Sequence, residues 1–174
     1  ACELWNTGEV GAAAGVAIYG ATENRFHNVV VYGNHIHHGG DSEAEPENDS
    51  HGINVGIQTQ DVWVVDNHIH HMGGDSFQAA HNANFTTYRM YVGRNVMYDD
   101  RENAVDVKQA NHVIVSQNEM WGFEPTSTSE GAACVVHYDP SYIWWINNVI
   151  YDATYGIVST GCSNHYILGN LIYS

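Results

Sequence analysis

Apolar and polar residues alternate with a period of two in several short stretches of the chain. Each stretch runs into an asparagine that is followed two places later by Ile or Met. The copies read VVVYGNHI, VWVVDNHI, MYVGRNVM, VIVSQNEM, IWWINNVI and YILGNLI. Their asparagines are Asn34, Asn67, Asn95, Asn118, Asn148 and Asn170, at intervals of 33, 28, 23, 30 and 22 residues. A repeat of about 22 residues with insertions of different length accounts for these intervals. Period two means strands, with residues five and three before each asparagine facing inward: Val29/Val31, Val62/Val64, Met90/Val92, Val113/Val115 and Ile143/Trp145. A second short strand lies between successive copies, at 15–18, 52–55, 76–79, 104–107, 133–136 and 156–159. No segment holds a 3.6-residue period between the Gly and Asn breakers, so helix is nearly absent.

Repeats of this kind predict an all-β fold, a right-handed parallel β-helix of about six coils, each rung about 4.8 Å above the last. The asparagines would form a ladder, each amide bonding backbone and the next asparagine, a structural use rather than a catalytic one. Three residues past each asparagine stand His37, His70, Tyr98, Trp121, Tyr151 and Tyr173, a column suited to ring stacking. Four residues before stand Val30, Trp63, Tyr91, Ile114, Trp144 and Tyr166, which would face outward. So long an apolar outer face points to a cover, and self-association through Trp63, Tyr91, Trp144 and Tyr166 is one form it would take.

At 174 residues the chain is one domain, residues 1–174, whether whole or part of something longer. A net charge of -15 argues against nucleic acid and anionic membranes as partners, and no apolar run is long enough to span a bilayer. It favours calcium, or a substrate whose charge is handled locally. No signal peptide opens the sequence, which reads as processed or as a fragment. One lysine, many Asn, Gly and Tyr, and the acidic balance fit an extracellular, secreted protein. Cys2, Cys134 and Cys162 lack metal-type spacing and read as small hydrophobes, with one disulfide among them left open.

The decoration is uneven. The stretch Asp99–Lys108 (DDRENAVDVK) gathers four of the twenty acidic residues, one of four arginines and the only lysine. Insertions at 39–51 and 122–131 should emerge on one edge at either side of it, as walls of a groove, and a third near 81–88 leaves another corner. With Val105 and Val107 inward, Asp106 and Lys108 share the outer face. Stacking places Gln78 one rung before Asp106 and His137 one rung after Lys108, with Asp75 and Asp99-Asp100 at the adjoining turn. A lysine acting as a base needs a lowered pKa, whereas clustered carboxylates raise it. A calcium ion among them would cancel that effect and hold an acidic sugar. The plainer alternative is an Asp-Lys ion pair beside an acidic loop.

The motif NHIHH occurs twice, at Asn34–His38 and Asn67–His71, which stacks His35 on His68 and His38 on His71. Imidazoles so spaced can share Zn²⁺ or Cu²⁺, although duplication of a residue suited to a turn is the simpler account. His165 stands at an inward position and reads as a satisfied buried histidine. His81 and His137 lie nearer Lys108, as candidate acids or bases.

The repeats, and especially ENAVDVKQANHVIVSQNEMWGF with the GGDS turn before it, resemble the pectate-lyase-like family of right-handed β-helix proteins. That resemblance covers nearly the whole chain as repeats and implies fold before activity, because the fold hosts lyases, hydrolases, epimerases and non-enzymatic surface proteins. Its lyases remove the proton α to a uronate carboxylate, neutralise that carboxylate with calcium or a basic residue, and cleave by β-elimination. On this likeness Lys108 is the base, Arg101 holds the carboxylate, and Asp75, Asp99, Asp100 and Asp106 ligate Ca²⁺; His137 joins the catalytic set by its place beside Lys108. Gln78, His81 and Asp106 would meet an acidic polysaccharide. The hydrolase motifs of related β-helices are not reproduced. The contrasting expectation is a non-enzymatic solenoid that assembles through its apolar face and ends.

Overall fold

The computed structural model, which describes residues 2–5, 13–21, 24–41, 48–79 and 87–174, is all-β. Three parallel sheets stack as a solenoid, and the chain visits each sheet in turn before adding the next strand to the first. The six strands that lead into the asparagines, from Phe26–Tyr32 to Ser163–Leu168, form what we call the long-strand sheet. The second short strands form a six-stranded groove sheet: Ala13–Ile18, Ser50–Val55, Phe77–Ala79, Val105–Val107, Ala132–Val136 and Tyr155–Ser159. A third sheet follows the asparagines, among them His35–His37, His68–His70 and Val96–Tyr98, with Glu3–Trp5 at its edge. We call it the corner sheet. Its strands are mostly three residues long, too short to show a period of two, so the sequence announces two strands per coil where the structure has three.

Register follows the hydrophobic pattern. Val62, Met90, Val113 and Ile143 stack as one inward column, and Val64, Val92, Val115 and Trp145 as another. Ile53, Phe77, Val105 and Cys134 line the groove sheet from inside, and Ile36, Ile69, Met97, Met120 and Ile150 the corner sheet. These side chains are buried, each contributing about 1.5–3 kcal/mol of hydrophobic stabilisation for a Val, Ile, Phe or Met. No disulfide forms: all three cysteines are free, and Cys134 occupies a core position where burial pushes its thiol up. His165 also takes an inward position, where it accepts a hydrogen bond from Trp145 Nε1–H.

The asparagine ladder is present through all six positions. Asn67 shows the pattern: its Oδ1 accepts from the N–H and the amide of Asn34, both at 3.0 Å. Its Nδ2 donates to Val31 O and to Asn95 Oδ1, again at 3.0 Å. The residue before each asparagine turns the chain with positive φ, from Gly33 through Asp66, Arg94, Gln117 and Asn147 to Gly169. A second column of positive φ lies six residues before each asparagine (Asn28, Asp61, Arg89, His112, Tyr142, Asn164), and nothing in the hydrophobic pattern announces it. Non-glycine residues hold all of the second column and all but the two ends of the first, and in each column an arginine clasps the aspartate one rung below: Arg89 on Asp61, Arg94 on Asp66.

The expected ring column runs unbroken from His37 through His70, Tyr98, Trp121 and Tyr151 to Tyr173, with centroid spacings of 4.4 to 5.4 Å. The apolar outer column from Val30 to Tyr166 is likewise in register on the long-strand sheet.

Candidate functional site

The outer face of the groove sheet carries the site. Its central column reads Ala17, Asn54, Gln78, Asp106, Val135, Val158 in register, about 24 Å along the stack at the usual strand spacing. A recess of about 400 Å³ lies over Asp106, Lys108 and His137, walled by Glu102, Ser129 and Glu130. A second, of about 350 Å³, lies over Asn54, Gln78 and His51 with Asp49 at its rim. Gln78, which lines the second recess, pairs with Asp106, which lines the first, as the sequence places them. The 122–131 insertion supplies a wall; of the 39–51 insertion, residues 42–47 lie outside the described residues, and so does His81.

Asp106 is the hub. Its Oδ2 lies 3.3 Å from Lys108 Nζ and its Oδ1 2.9 Å from His137 Nε2. The second of these is an ion-pair contact that lacks hydrogen-bond geometry, so both atoms are buried without a hydrogen bond. His137 reaches this position because its N–H bonds Val107 O at 3.1 Å, continuing the rung one residue past the strand. Burial pulls the Lys108 ammonium down, but Asp106 and Asp75 outweigh it and hold the group above its ordinary 10.5. Lys108 is therefore a cation at neutral pH, fitted to bind a carboxylate rather than to take a proton.

Behind the hub, Asp75 is fully buried. Its Oδ1 accepts from Asn103 N–H at 3.1 Å and its Oδ2 from Gln78 Nε2 at 3.0 Å. Burial first, then the charges of Asp106 and Glu102, push its carboxyl well above the usual range. His51 closes this line from the next rung: Nδ1 accepts from Asp75 N–H at 3.1 Å and Nε2 lies 3.2 Å from Asp49. In the sequence His51 falls at the end of the 39–51 insertion, whereas the structure places it on the strand Ser50–Val55. Its signal was there, since setting HGINV over DSFQA and NAVDV places His51, Asp75 and Asn103 on successive rungs.

The remaining residues are placed apart from the hub. Asp100 is buried, its Oδ1 accepting from Met72 N–H at 2.9 Å and its Oδ2 from the Ser76 hydroxyl. Burial raises its carboxyl well above the usual range. Asp99 is exposed at a positive-φ turn, packed on Gly122. Arg101 is buried, bonded through its N–H to Met72 O and through Nη2 to Ser127 Oγ, so it braces the groove wall from behind. No three of Asp75, Asp99, Asp100 and Asp106 bring their oxygens within 4.8 Å of one another. The four aspartates therefore do not form one calcium cage; Asp106 alone of them lines the groove. Among the described residues the donor groups that do converge are His35/His68/His70 and Glu3/His35/His37, on the corner sheet.

Comparison of the chain with protein-family models, with curated proteins and with solved structures finds no match.

Proposed function

We propose that this chain is a secreted carbohydrate-active protein, a right-handed parallel β-helix of the pectate-lyase-like kind that cleaves a uronate-containing glycan by β-elimination. The hand follows from the strong chiral preference of parallel crossovers. The observation that carries the reading is the unsatisfied Asp106–His137 contact beside the Lys108 ammonium, on the floor of a long groove. Polar atoms that pair by charge alone, without a hydrogen bond, leave hydrogen-bonding capacity that a ligand in the recess could use.

The roles differ from those that the family likeness implies. The Lys108 ammonium binds the uronate carboxylate, the part assigned to Arg101 by resemblance. His137, oriented by Asp106, takes the proton α to that carboxylate. The carbon–oxygen bond β to it breaks, and the same proton leaves on the departing glycosidic oxygen, so no further donor is needed. If calcium takes part, Asp106 is the one of the four aspartates on the groove floor that would help hold it, and the ion would neutralise the uronate carboxylate.

The test is ultraviolet absorbance of the unsaturated product with pectate, alginate and glycosaminoglycans, each with calcium and with chelator. A rise that is lost in His137→Ala and in Lys108→Ala, both folded, supports the reading; turnover unaltered in either variant overturns the assigned role. A second reading, a non-enzymatic solenoid, is favoured by the outer column of Val30, Trp63, Tyr91, Ile114, Trp144 and Tyr166, four of which are exposed. It requires that Trp63→Asp and Trp144→Asp dissolve self-association in sedimentation; assembly that persists counts against that face.

A further inference from the structure

The corner sheet carries a second cluster, remote from the groove in the fold. In each NHIHH copy the isoleucine points into the core, so the histidines on either side of it point out. Parallel register then sets His35 on His68 and His37 on His70, with ring centroids 4.7 and 5.1 Å apart. His35 Nε2 meets His70 Nε2 diagonally at 2.9 Å, and one donor nitrogen from each of His35, His68 and His70 falls within 4.8 Å of the others. Glu3, on the strand at the edge, brings Oε1 to 3.2 Å from His37 Nε2 and forms an adjoining group with His35 and His37.

We infer that His35, His68 and His70 form a binding site for a divalent transition ion of the imidazole-seeking class, Zn²⁺ or Cu²⁺. Two nitrogens bound tetrahedrally to Zn²⁺ stand about 3.4 Å apart, so the His35–His70 pair opens by a few tenths of an ångström to admit an ion in place of a shared proton. The far nitrogen of His70 is already engaged, Nδ1 lying 2.8 Å from Nδ1 of His71, which fixes the ring and turns Nε2 toward the site. His37 is held in the same manner by His38 at 2.9 Å. Outer partners of this kind are what orient ligating histidines. Three protein nitrogens leave a coordination position open for water or another ligand, and the Tyr98 hydroxyl lies 3.2 Å from His68 Nε2. All-nitrogen donors disfavour calcium, which takes oxygen.

Ring stacking alone does not account for these histidines. The same column continues as Tyr98, Trp121, Tyr151 and Tyr173 with spacing unchanged, and the neighbouring column continues as Val96, Glu119, Val149 and Leu171. Imidazoles occupy both columns only on the two rungs where their nitrogens converge.

The experiment is calorimetric titration of the untagged chain with Zn²⁺ and with Cu²⁺, together with electron paramagnetic resonance of the Cu²⁺ form. One ion per chain is expected, with nitrogen hyperfine structure. His35→Gln and His68→Gln should each weaken binding more than about 100-fold, beyond the usual loss for an outer partner. His112→Gln, an exposed histidine on the long-strand sheet, should leave it unchanged. Far-ultraviolet circular dichroism shows that each variant is folded, and His68 provides the second variant should His35→Gln fail to fold. Absence of saturable binding, binding undiminished in the folded variants, or equal loss in His112→Gln would overturn the assignment.

Discussion

The asparagine ladder and the groove are both lines of polar side chains stacked rung upon rung, and they differ in whether they are complete. Inside the ladder every amide makes its bonds to the rungs on either side, so the column consumes its own polarity. In the groove the column changes residue at each rung, from Asn54 to Gln78 to Asp106 to Val135, and leaves Asp106 Oδ1 and His137 Nε2 in contact without a bond. Repetition satisfies groups and makes structure. A break in repetition leaves groups unsatisfied, and the rest of the fold carries that cost.

The sharpest way to break this comparison is to damage the ladder. Asn118→Ala removes two acceptor contacts, from Asn95 N–H at 2.9 Å and its amide at 3.0 Å, and two donor contacts, to Val92 O and Asn148 Oδ1 at 3.0 Å. It leaves Asn95 N–H and Val92 O buried without those partners. A loss of about 3–5 kcal/mol in urea unfolding is expected, a large part of the stability of a domain. A loss under about 1 kcal/mol would mean that water repairs the gap and that the ladder is not the spine of the fold.

Damage to the groove should have the opposite signature. His137→Ala should lower turnover by roughly 100- to 10,000-fold, the range for a general base, and leave the urea midpoint near its original value. Destabilisation as large as that of Asn118→Ala would make His137 a structural residue and remove the contrast.

Asp75 sharpens the comparison, because its sign is reversed. A carboxyl raised in the folded state favours folding below its ordinary value of 3.8, and that contribution is lost as pH rises through the folded value. At neutral pH the buried Asp75 therefore costs stability. Asp75→Asn keeps an oxygen for Asn103 N–H and sheds the titration, so its melting temperature should exceed the parent's at pH 7 and converge with it toward pH 4. A melting temperature lower at every pH would show that the carboxylate, rather than the neutral acid, is the form the fold requires.

The ladder, the inward columns and the pairing of Gln78 with Asp106 were legible in the sequence because each rests on a period, and a period survives without coordinates. The three-residue corner strands were too short to have one. That the clustered carboxylates raise Lys108 was legible, but the opposing pull of its burial was not, since only the depths of the groups set it. Nor was the closure of Asp100 on Met72 and Ser76: from sequence, an aspartate facing a groove and one turned inward look the same. His51 is the instructive miss, visible once the groove strands are aligned on each other instead of on the asparagines.

The smallest effect belongs to the positive-φ columns. Arg89 holds Asp61 with bonds of 2.6 and 2.8 Å, and Arg94 holds Asp66 with two of 2.8 Å, all at exposed positions. Hydrogen bonding to its arginine is the largest cause holding each aspartate below its ordinary range. Yet both pairs stand in water, where screening and side-chain entropy remove most of what the geometry promises. Arg94→Gln should therefore shift the urea midpoint only slightly, and the difference should vanish in molar salt, because the Debye length there falls to about 3 Å. A shift that survives salt would locate the contribution in backbone geometry, with the arginine pinning Asp66 in its left-handed turn. The columns would then belong with the ladder as repeats that satisfy themselves.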